Sequence, residues 1–286
     1  MSVAADCERG ATVDGIAYLR RDGPRDGAPF ILLHGIGSNA ASWLPFMQAL
    51  DDRPAFAWDL PGYGESSPLR EDWPTAEDYA VVLERFLDRL GLARIVVIGH
   101  SLGALIAARF AATRASRTQA LVLVSAAAGY GAPRGAPLPA SVARRLTDFE
   151  RLGAAEYARA RAPRLLADPA GRPDLCLSVE QAMAALKLPG YLHAVRLLGC
   201  ADIFQHVRSL AVPTLVACGA CDAITPPEHV RRIAEAVPTA MRARRETPVL
   251  IDAAGHALPQ EKPDELAALC AALASSSLEQ RHAHAQ

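Results

Sequence analysis

The sequence predicts an α/β fold, a mostly parallel sheet of about eight strands with helices on both faces. Short, continuously apolar runs recur along the chain, as expected for strands that are covered on both faces. Helix-period segments lie between these runs, and strands that alternate with helices pair in parallel through right-handed crossovers. The chain has 286 residues. This length allows a large buried sheet and favours one core that carries an inserted subdomain.

Residues 1–128 are predicted to form the first part of this core. The segment 11–21 has the pattern of a hairpin with Asp14-Gly15 at its turn. Residues 76–90 have apolar side chains at helical spacing, and Gly91 follows where a helix end favours glycine. The other predicted elements are strands at 29–33, 55–60, 94–98 and 120–125, and helices at 40–50 and 104–110.

The pattern changes between residues 129 and 207. A stretch rich in Gly and Pro opens this segment, and helix-like pieces separated by prolines follow, with no run typical of a buried strand. We therefore expect a helical cap or lid at 129–207. Its ten Arg and Lys residues against seven Asp and Glu make it slightly basic, which is too small an excess to identify a ligand.

The core is predicted to resume at 208–274. Apolar runs predict strands at 213–218 and 249–253, and helical patterns predict helices at 227–236 and 263–274. The last residues, 275–286, are polar and are expected to be disordered.

Composition narrows the classes of partner. The 30 Lys and Arg residues nearly balance the 31 Asp and Glu residues, and no basic run is present, which argues against a nucleic-acid partner. No charge-free apolar stretch reaches the ~20 residues of a membrane span, and the first residues lack the pattern of a signal peptide. We therefore expect a soluble, cytoplasmic protein that has no membrane partner; the sequence predicts no oligomeric state.

The six cysteines lack the spacing of a disulfide framework and are expected to be reduced thiols. Cys218 and Cys221 form a C-x-x-C motif at the end of a predicted strand. No second pair completes a zinc site, so small residues in a loop are the favoured interpretation over redox or metal chemistry.

The segment 99–103, Gly-His-Ser-Leu-Gly, lies between a β-branched run and an Ala-rich helix. A strand, a G-x-S-x-G turn and a helix are typical of a nucleophile elbow. Glycines are needed at 99 and 103 because side chains there would collide with the neighbouring strand and helix. Ser101 is therefore the candidate nucleophile.

A serine hydroxyl needs an adjacent base, and the base needs an acid that fixes its tautomer. His256 follows the last predicted strand, and Asp222 follows the strand before it. Both are therefore expected where the parallel strands end, on the same edge of the sheet as Ser101. Asp252 is a poorer candidate acid because it lies within the last strand, too close to His256. For the other histidines before the tail, we expect packing or hydrogen bonding at 34 and 100, and no motif surrounds those at 193, 206 and 229.

A tetrahedral intermediate also needs donors for its oxyanion. Two backbone N–H groups are candidates for this oxyanion hole. One belongs to Leu102, where the dipole of the following helix helps, and the other to Ile36, in a loop where Gly35 and Gly37 permit close approach.

Together these segments resemble the α/β-hydrolase superfamily over roughly residues 11–274. The motifs that carry the resemblance are His34-Gly35-Ile36-Gly37, the segment 59–66 (Asp-Leu-Pro-Gly-Tyr-Gly-Glu-Ser), the elbow at 99–103, Asp222, and Gly255-His256. The resemblance implies that Ser101 is the nucleophile, Asp222 the acid and His256 the base, with the amides of Ile36 and Leu102 as oxyanion hole.

Two shorter segments are similar to 3-oxoadipate enol-lactonases and related carboxylesterases. They are Asp222-x-x-Thr225-Pro226-Pro227 and Gln260-Glu261-Lys262-Pro263. An enol-lactonase would need to hold a substrate carboxylate, for which Arg144, Arg145 and Arg159 of the predicted cap are candidates. A solvated helix face is the commoner role of such arginines.

The function predicted from the sequence is hydrolysis of a small or medium carboxylic ester or lactone through an acyl-enzyme on Ser101. This mechanism requires no metal and no organic cofactor. Dehalogenases and epoxide hydrolases of this fold use aspartate as nucleophile, so Ser101 argues against them. Three alternatives stay open: a C–C bond hydrolase acting on meta-cleavage-type diketones, a cofactor-free haloperoxidase or perhydrolase, and a non-catalytic ligand-binding module.

Overall fold

The computed structural model describes residues 7–11, 15–24, 27–50, 53–244 and 247–284. One sheet of eight strands forms the centre of this part of the chain, in the order β1-β2-β4-β3-β5-β6-β7-β8. The strands are β1 (Cys7–Ala11), β2 (Ala17–Arg21), β3 (Phe30–Leu33), β4 (Ala55–Trp58), β5 (Ile95–His100), β6 (Thr118–Val124), β7 (Thr214–Gly219) and β8 (Val249–Ile251). The predicted fold class is confirmed.

Antiparallel pairing is confined to one side of the sheet. β1 pairs with β2 and β2 pairs with β4 in antiparallel register, and every pair from β4 to β8 is parallel. The carboxyl ends of the parallel strands therefore lie at one edge, which we call the carboxyl edge. β1 and β2 form a hairpin, but it begins at Cys7 and not at residue 11 as predicted. Residues 12–14 of its turn lie outside the described residues.

Helices cover both faces of the sheet, and the central strands show why. In β5, Ile95 and Val97 face one hydrophobic core, whereas Val96 and Ile98 face the other. Successive side chains of a strand point to opposite faces, so a strand covered on both faces must be apolar throughout. The covering helices are α1 (Leu44–Gln48), α2 (Ala76–Arg89), α3 (Leu102–Thr113), α8 (Pro227–Ala236), α9 (Leu258–Glu261) and α10 (Pro263–His284).

Four helices lie between β6 and β7, in residues 129–207, which we call the cap segment. They are α4 (Ala140–Arg161), α5 (Pro173–Ala184), α6 (Gly190–Cys200) and α7 (Phe204–Val207). An antiparallel bridge between Gly129 and Asp202 holds the two ends of the segment together. α4 bends at Gly153, whose φ of 74° is readily adopted by glycine.

The helix α10 does not end at residue 274 as predicted but continues to His284. No Gly or Pro follows Pro263 within the helix, so no residue there breaks it. The expectation of a disordered tail is thus corrected for 275–284; residues 285 and 286 lie outside the described residues. Of the helices in the described ranges, none has the length and apolar character required to cross a bilayer.

Candidate active site

Ser101 lies in a strained turn between β5 and α3. Its φ of 52° and ψ of −113° are unusual for a residue with a side chain. The turn is held by a hydrogen bond from its own N–H to the Val124 carbonyl, at 2.9 Å. A Cβ at Gly99 would lie 2.5 Å from the carbonyl oxygen of Gly103, and one at Gly103 would collide with the backbone of Leu33. Both glycines are therefore required by the close packing around the turn.

The structure brings the predicted nucleophile, base and acid together in one buried chain of hydrogen bonds. Ser101 Oγ lies 3.0 Å from His256 Nε2. On the other side of the ring, His256 Nδ1 lies 2.9 Å from Asp222 Oδ2 and 3.2 Å from Oδ1. A carboxylate can only accept, so Nδ1 carries the proton and Nε2 is free to accept one from Ser101.

Asp222 is held in its ionised form. Its burial favours the neutral form, but the His256 ring and the backbone N–H groups of Thr225 and Ile224 outweigh burial and lower the pKa of Asp222 well below its usual range. Both amides donate to Oδ1, at 2.9 and 2.8 Å. Asp252, the poorer candidate acid, is exposed next to β8.

Thr225 fixes the acid in place, a contribution that the sequence analysis did not assign. Its Oγ1 lies 2.9 Å from Asp222 Oδ2 and 3.0 Å from the carbonyl oxygen of Ser125 at the end of β6. The same hydroxyl lies 3.2 Å from His256 Nδ1. The available signal was the Asp-x-x-Thr spacing, because Asp and Thr side chains commonly bond to nearby backbone groups in turns.

The two candidate oxyanion amides, those of Ile36 and Leu102, belong to residues that line the same cavity as Ser101. Leu102 is the first residue of α3, so its N–H has no partner within the helix and lies at the positive end of the helix dipole. Among the described residues, neither N–H donates to another part of the chain. Both are therefore available to a substrate oxygen.

Hydrogen bonds with the segment 59–66 hold the loop that carries Ile36 in place. Tyr63 donates its phenolic hydrogen to the Ile36 carbonyl, at 2.8 Å. His34 Nε2 accepts from the Leu60 N–H at 3.0 Å, so its Nδ1 carries the proton and lies 2.8 Å from the Gly35 carbonyl oxygen. The motif at 59–66 thus supports the oxyanion loop, which explains the hydrogen-bonding role expected for His34. The sequence offered no signal for the contribution of Tyr63 beyond its place in the motif.

His100 positions the base. Its Nε2 lies 2.7 Å from the His256 carbonyl oxygen and donates to it. Burial is the main cause that lowers the pKa of His100 to about 3. The ring is therefore neutral at physiological pH and acts as a fixed hydrogen-bond donor, in agreement with the expected packing and hydrogen-bonding role.

Glu261 is a second contribution that the sequence analysis missed. Its buried carboxylate accepts from the Gly255 N–H and from the Ala167 N–H, both at 2.8 Å. The first of these amides precedes His256 and the second belongs to the cap segment. Burial raises the pKa of Glu261. The carboxylate thus joins the histidine loop to the cap segment.

A cavity of about 270 Å³ opens onto Ser101. The carboxyl edge supplies one wall and the cap segment the other. The lining is mainly apolar, and its polar members from the cap segment are Tyr130, Arg145, Tyr157, Arg161 and Tyr191. The candidate nucleophile, base and acid and the two candidate amide donors thus lie around one cavity, and acyl transfer requires groups of these kinds.

No metal centre is evident in the described part of the chain, where no group of three or more His, Cys, Asp or Glu side chains could hold an ion. Cys218 is buried and Cys221 is exposed, and both are free thiols. Burial raises the pKa of the Cys218 thiol to about 12, so that thiol stays protonated at neutral pH.

Comparison with known proteins links this geometry to hydrolases. The model of a family described as alpha/beta hydrolase matches residues 30–269. RutD from Enterobacter cloacae subsp. cloacae, a proposed carbamate hydrolase, is 28% identical over 255 residues, 84% of this chain and 89% of that protein. In three other curated relatives, the matching segment covers only 29%, 34% and 57% of the relative's own length. This chain therefore matches less than two thirds of each of these three proteins.

Solved structures show the same architecture. A thermophilic esterase from Thermogutta terrifontis aligns with a TM-score of 0.79 and 25% identity, covering 95% of this chain and 98% of that one. The enol-lactonase from Burkholderia xenovorans LB400 aligns with a TM-score of 0.78 and 23% identity, covering 93% of this chain and 99% of that one. At 23% identity, the likeness to the enol-lactonase shows a shared fold.

Proposed function

Because this chain belongs to the alpha/beta hydrolase family, we propose that it hydrolyses a small or medium carboxylic ester or lactone through an acyl-enzyme on Ser101. Family membership confirms the resemblance predicted from the motifs. The observation that carries the proposal is the buried chain from Ser101 Oγ through the His256 ring to the Asp222 carboxylate, at 3.0 and 2.9 Å. The esterase from Thermogutta terrifontis supports this choice among hydrolases.

In the first step, Ser101 Oγ attacks the substrate carbonyl carbon while His256 Nε2 takes the hydroxyl proton. Asp222 stabilises the imidazolium that forms and keeps the ring in the required orientation. The carbonyl oxygen gains negative charge, which the N–H groups of Ile36 and Leu102 stabilise.

The tetrahedral intermediate then breaks its bond to the leaving oxygen, which takes the proton from His256. In an ester the alcohol departs, and in a lactone it remains attached to the acyl group as a hydroxyl. A water molecule then attacks the acyl carbon while His256 takes its proton. The proton passes to Ser101 Oγ as the carboxylic acid leaves, which restores the starting state.

In this proposal the cap segment is a lid that selects the substrate. It contributes Arg145, Tyr157, Arg161, Met183 and Tyr191 to the cavity wall. Among the described residues, none of these five side chains hydrogen-bonds to Ser101, His256 or Asp222. The core therefore performs the reaction, and the cap segment determines which acyl group reaches it.

The test is a hydrolysis panel with Ser101→Ala beside the unchanged protein. The panel contains p-nitrophenyl esters, small lactones including an enol-lactone, a meta-cleavage diketone and a peracid-forming assay. We expect ester or lactone turnover, and a fall in kcat of about 10⁴-fold or more in the variant because the nucleophile is lost. A fluorophosphonate probe should label Ser101. Unchanged ester hydrolysis in Ser101→Ala, or turnover of the diketone alone, would contradict the proposal.

A further inference from the structure

The side chains that line the cavity beside Ser101 carry positive charges that no acidic side chain in the described lining balances. Arg145 and Arg161 both line it, and no Asp or Glu does so within the described part of the chain. Both arginines are half-buried members of α4. A guanidinium stays protonated in proteins, so the cavity wall carries two positive charges.

Neither arginine has an acidic partner. Among the described residues, no ion pair or hydrogen bond involves Arg145 or Arg161, although the face of the Tyr157 ring lies 5.1 Å from Arg161 Cζ. Elsewhere Arg114 bonds to Glu77 at 2.8 Å and to Glu84 at 3.1 Å. Burying a charge without a partner costs free energy. Binding of an anion beside these two guanidinium groups would therefore be favourable.

The electrostatics of the cluster agree with this interpretation. Burial is the main cause that lowers the pKa of Arg161, and the positive charge of Arg145 lowers it further. The two arginines are therefore close enough to repel each other. A negative group between them would relieve both the repulsion and the loss of hydration.

A pair of phenols supplies a third donor. Tyr157 Oη and Tyr191 Oη lie 2.5 Å apart in the cavity wall. Two hydroxyl hydrogens are present, and the bond between the rings uses one of them. The other has no acceptor in the described residues, so it is available to an oxygen of a ligand.

We propose that the natural substrate carries a second, ionised carboxylate, which binds to Arg145, Arg161 and the free phenolic hydrogen while the ester or lactone carbonyl lies at Ser101. This inference rests on the proposed function and names its substrate class. Arginine suits the role because its planar donors match a carboxylate. Of the arginines considered from the sequence, Arg144 and Arg159 are exposed, and Arg159 pairs with Glu156.

The test compares matched substrates. The p-nitrophenyl monoester of adipic acid carries the free carboxylate, and p-nitrophenyl hexanoate has a similar length but no charge. We expect Arg145→Met and Arg161→Met each to lower kcat/KM for the acidic ester about 10–100-fold, mainly through KM, since each variant removes a charged hydrogen-bond donor to the carboxylate. The neutral ester should change less than about threefold, and Lys at either position should restore part of the loss.

Arg144→Met and Arg159→Met are the controls, because both residues lie on the same helix outside the cavity. They should leave kcat/KM for both esters unchanged. A wild-type preference for the neutral ester would overturn the inference, as would Met variants that lose activity equally toward both esters. Thermal melts confirm that each variant is folded.

Binding separates this inference from the proposed function. We expect adipate to bind the Ser101→Ala variant, as measured by calorimetry, and Arg145→Met in that background to weaken binding at least 10-fold. If the fluorophosphonate probe labels Ser101 and adipate does not bind, the carboxylate site is wrong and the hydrolase stands. If adipate binds and no ester is cleaved, the proposed function is wrong and the site stands. Stronger binding of inorganic phosphate than of adipate would overturn the assignment to a carboxylate.

Discussion

The carboxyl edge of the sheet and the inner face of the cap segment line one cavity, but they differ in how their polar groups are paired. At the edge, the Asp222 carboxylate accepts hydrogen bonds from His256 and from two backbone amides. On the cap segment, Arg145 and Arg161 have no anionic partner in the described residues. In the proposed mechanism, the fold itself pairs the reacting groups, whereas the substrate carboxylate would supply the missing partner of the two arginines. Changes at the edge should therefore affect kcat for every substrate.

Of the variants that test this comparison, Asp222→Asn should have the largest effect on kcat. An amide can donate to His256 Nδ1 and so favour the wrong tautomer, and we expect kcat to fall about 10⁴-fold. The fall should be equal for the p-nitrophenyl monoester of adipic acid and for p-nitrophenyl hexanoate. Asp252→Asn is the matched control and should leave kcat unchanged. A loss confined to the acidic ester would mean that the two regions do not divide their roles in this way.

A smaller effect is expected for Tyr63→Phe. The variant loses the bond from the phenol to the Ile36 carbonyl, which spans 2.8 Å. The loop that carries Ile36 then has one stabilising hydrogen bond fewer, and we expect kcat to fall about fivefold with little change in KM, since a hydrogen bond of this kind contributes about 1 kcal/mol.

Tyr79→Phe is the control for Tyr63→Phe, because it removes a buried phenolic hydroxyl that has no partner in the described residues. Steady-state kinetics with both esters should show kcat unchanged in that variant. Equal losses in the two variants would assign the effect to packing rather than to the oxyanion loop.

The smallest effect on rate is expected for Glu261→Gln. The carboxylate accepts from two backbone amides, and a Gln side chain has one acceptor oxygen, so one amide loses its partner. We expect the free energy of unfolding to fall by about 1–3 kcal/mol and kcat to fall less than about threefold. Denaturant titration measures the first quantity. Glu265→Gln, on the exposed surface beside Lys262, should change neither. An unchanged stability of Glu261→Gln would contradict the proposed link.

The carboxyl edge could be predicted from the sequence because each of its parts is local. The G-x-S-x-G turn specifies its own geometry through Gly99 and Gly103, and the loops that carry Asp222 and His256 each follow a recognisable apolar strand. The parallel order of strands then brings these loops to one edge. Strand periodicity and turn chemistry were sufficient to place the three residues together.

The partners that cross the fold could not be predicted in the same way. Glu261 bonds to an amide 94 positions away, and Tyr63 bonds to a carbonyl 27 positions away. No periodicity encodes such contacts: the first depends on how the cap segment packs on the core, and the second on how two loops of the core pack together. Arg161 lines the cavity and Arg159 does not, and this difference likewise depends on how α4 is rotated against the cavity.

The position of Glu261 has a mechanical consequence for entry of the substrate. In the proposed role of the cap segment as a lid, lifting this segment at Ala167 would break the hydrogen bond from the Ala167 N–H to Glu261 or would move Glu261, which also accepts from the Gly255 N–H next to His256. The Ala257 N–H also bonds to the Leu165 carbonyl at 2.9 Å, so the backbone on both sides of His256 is connected to Leu165–Ala167. We therefore expect a lid that opens elsewhere in the cap segment to leave the His256 ring in register with Ser101, whereas opening at Leu165–Ala167 would weaken the support of the His256 loop.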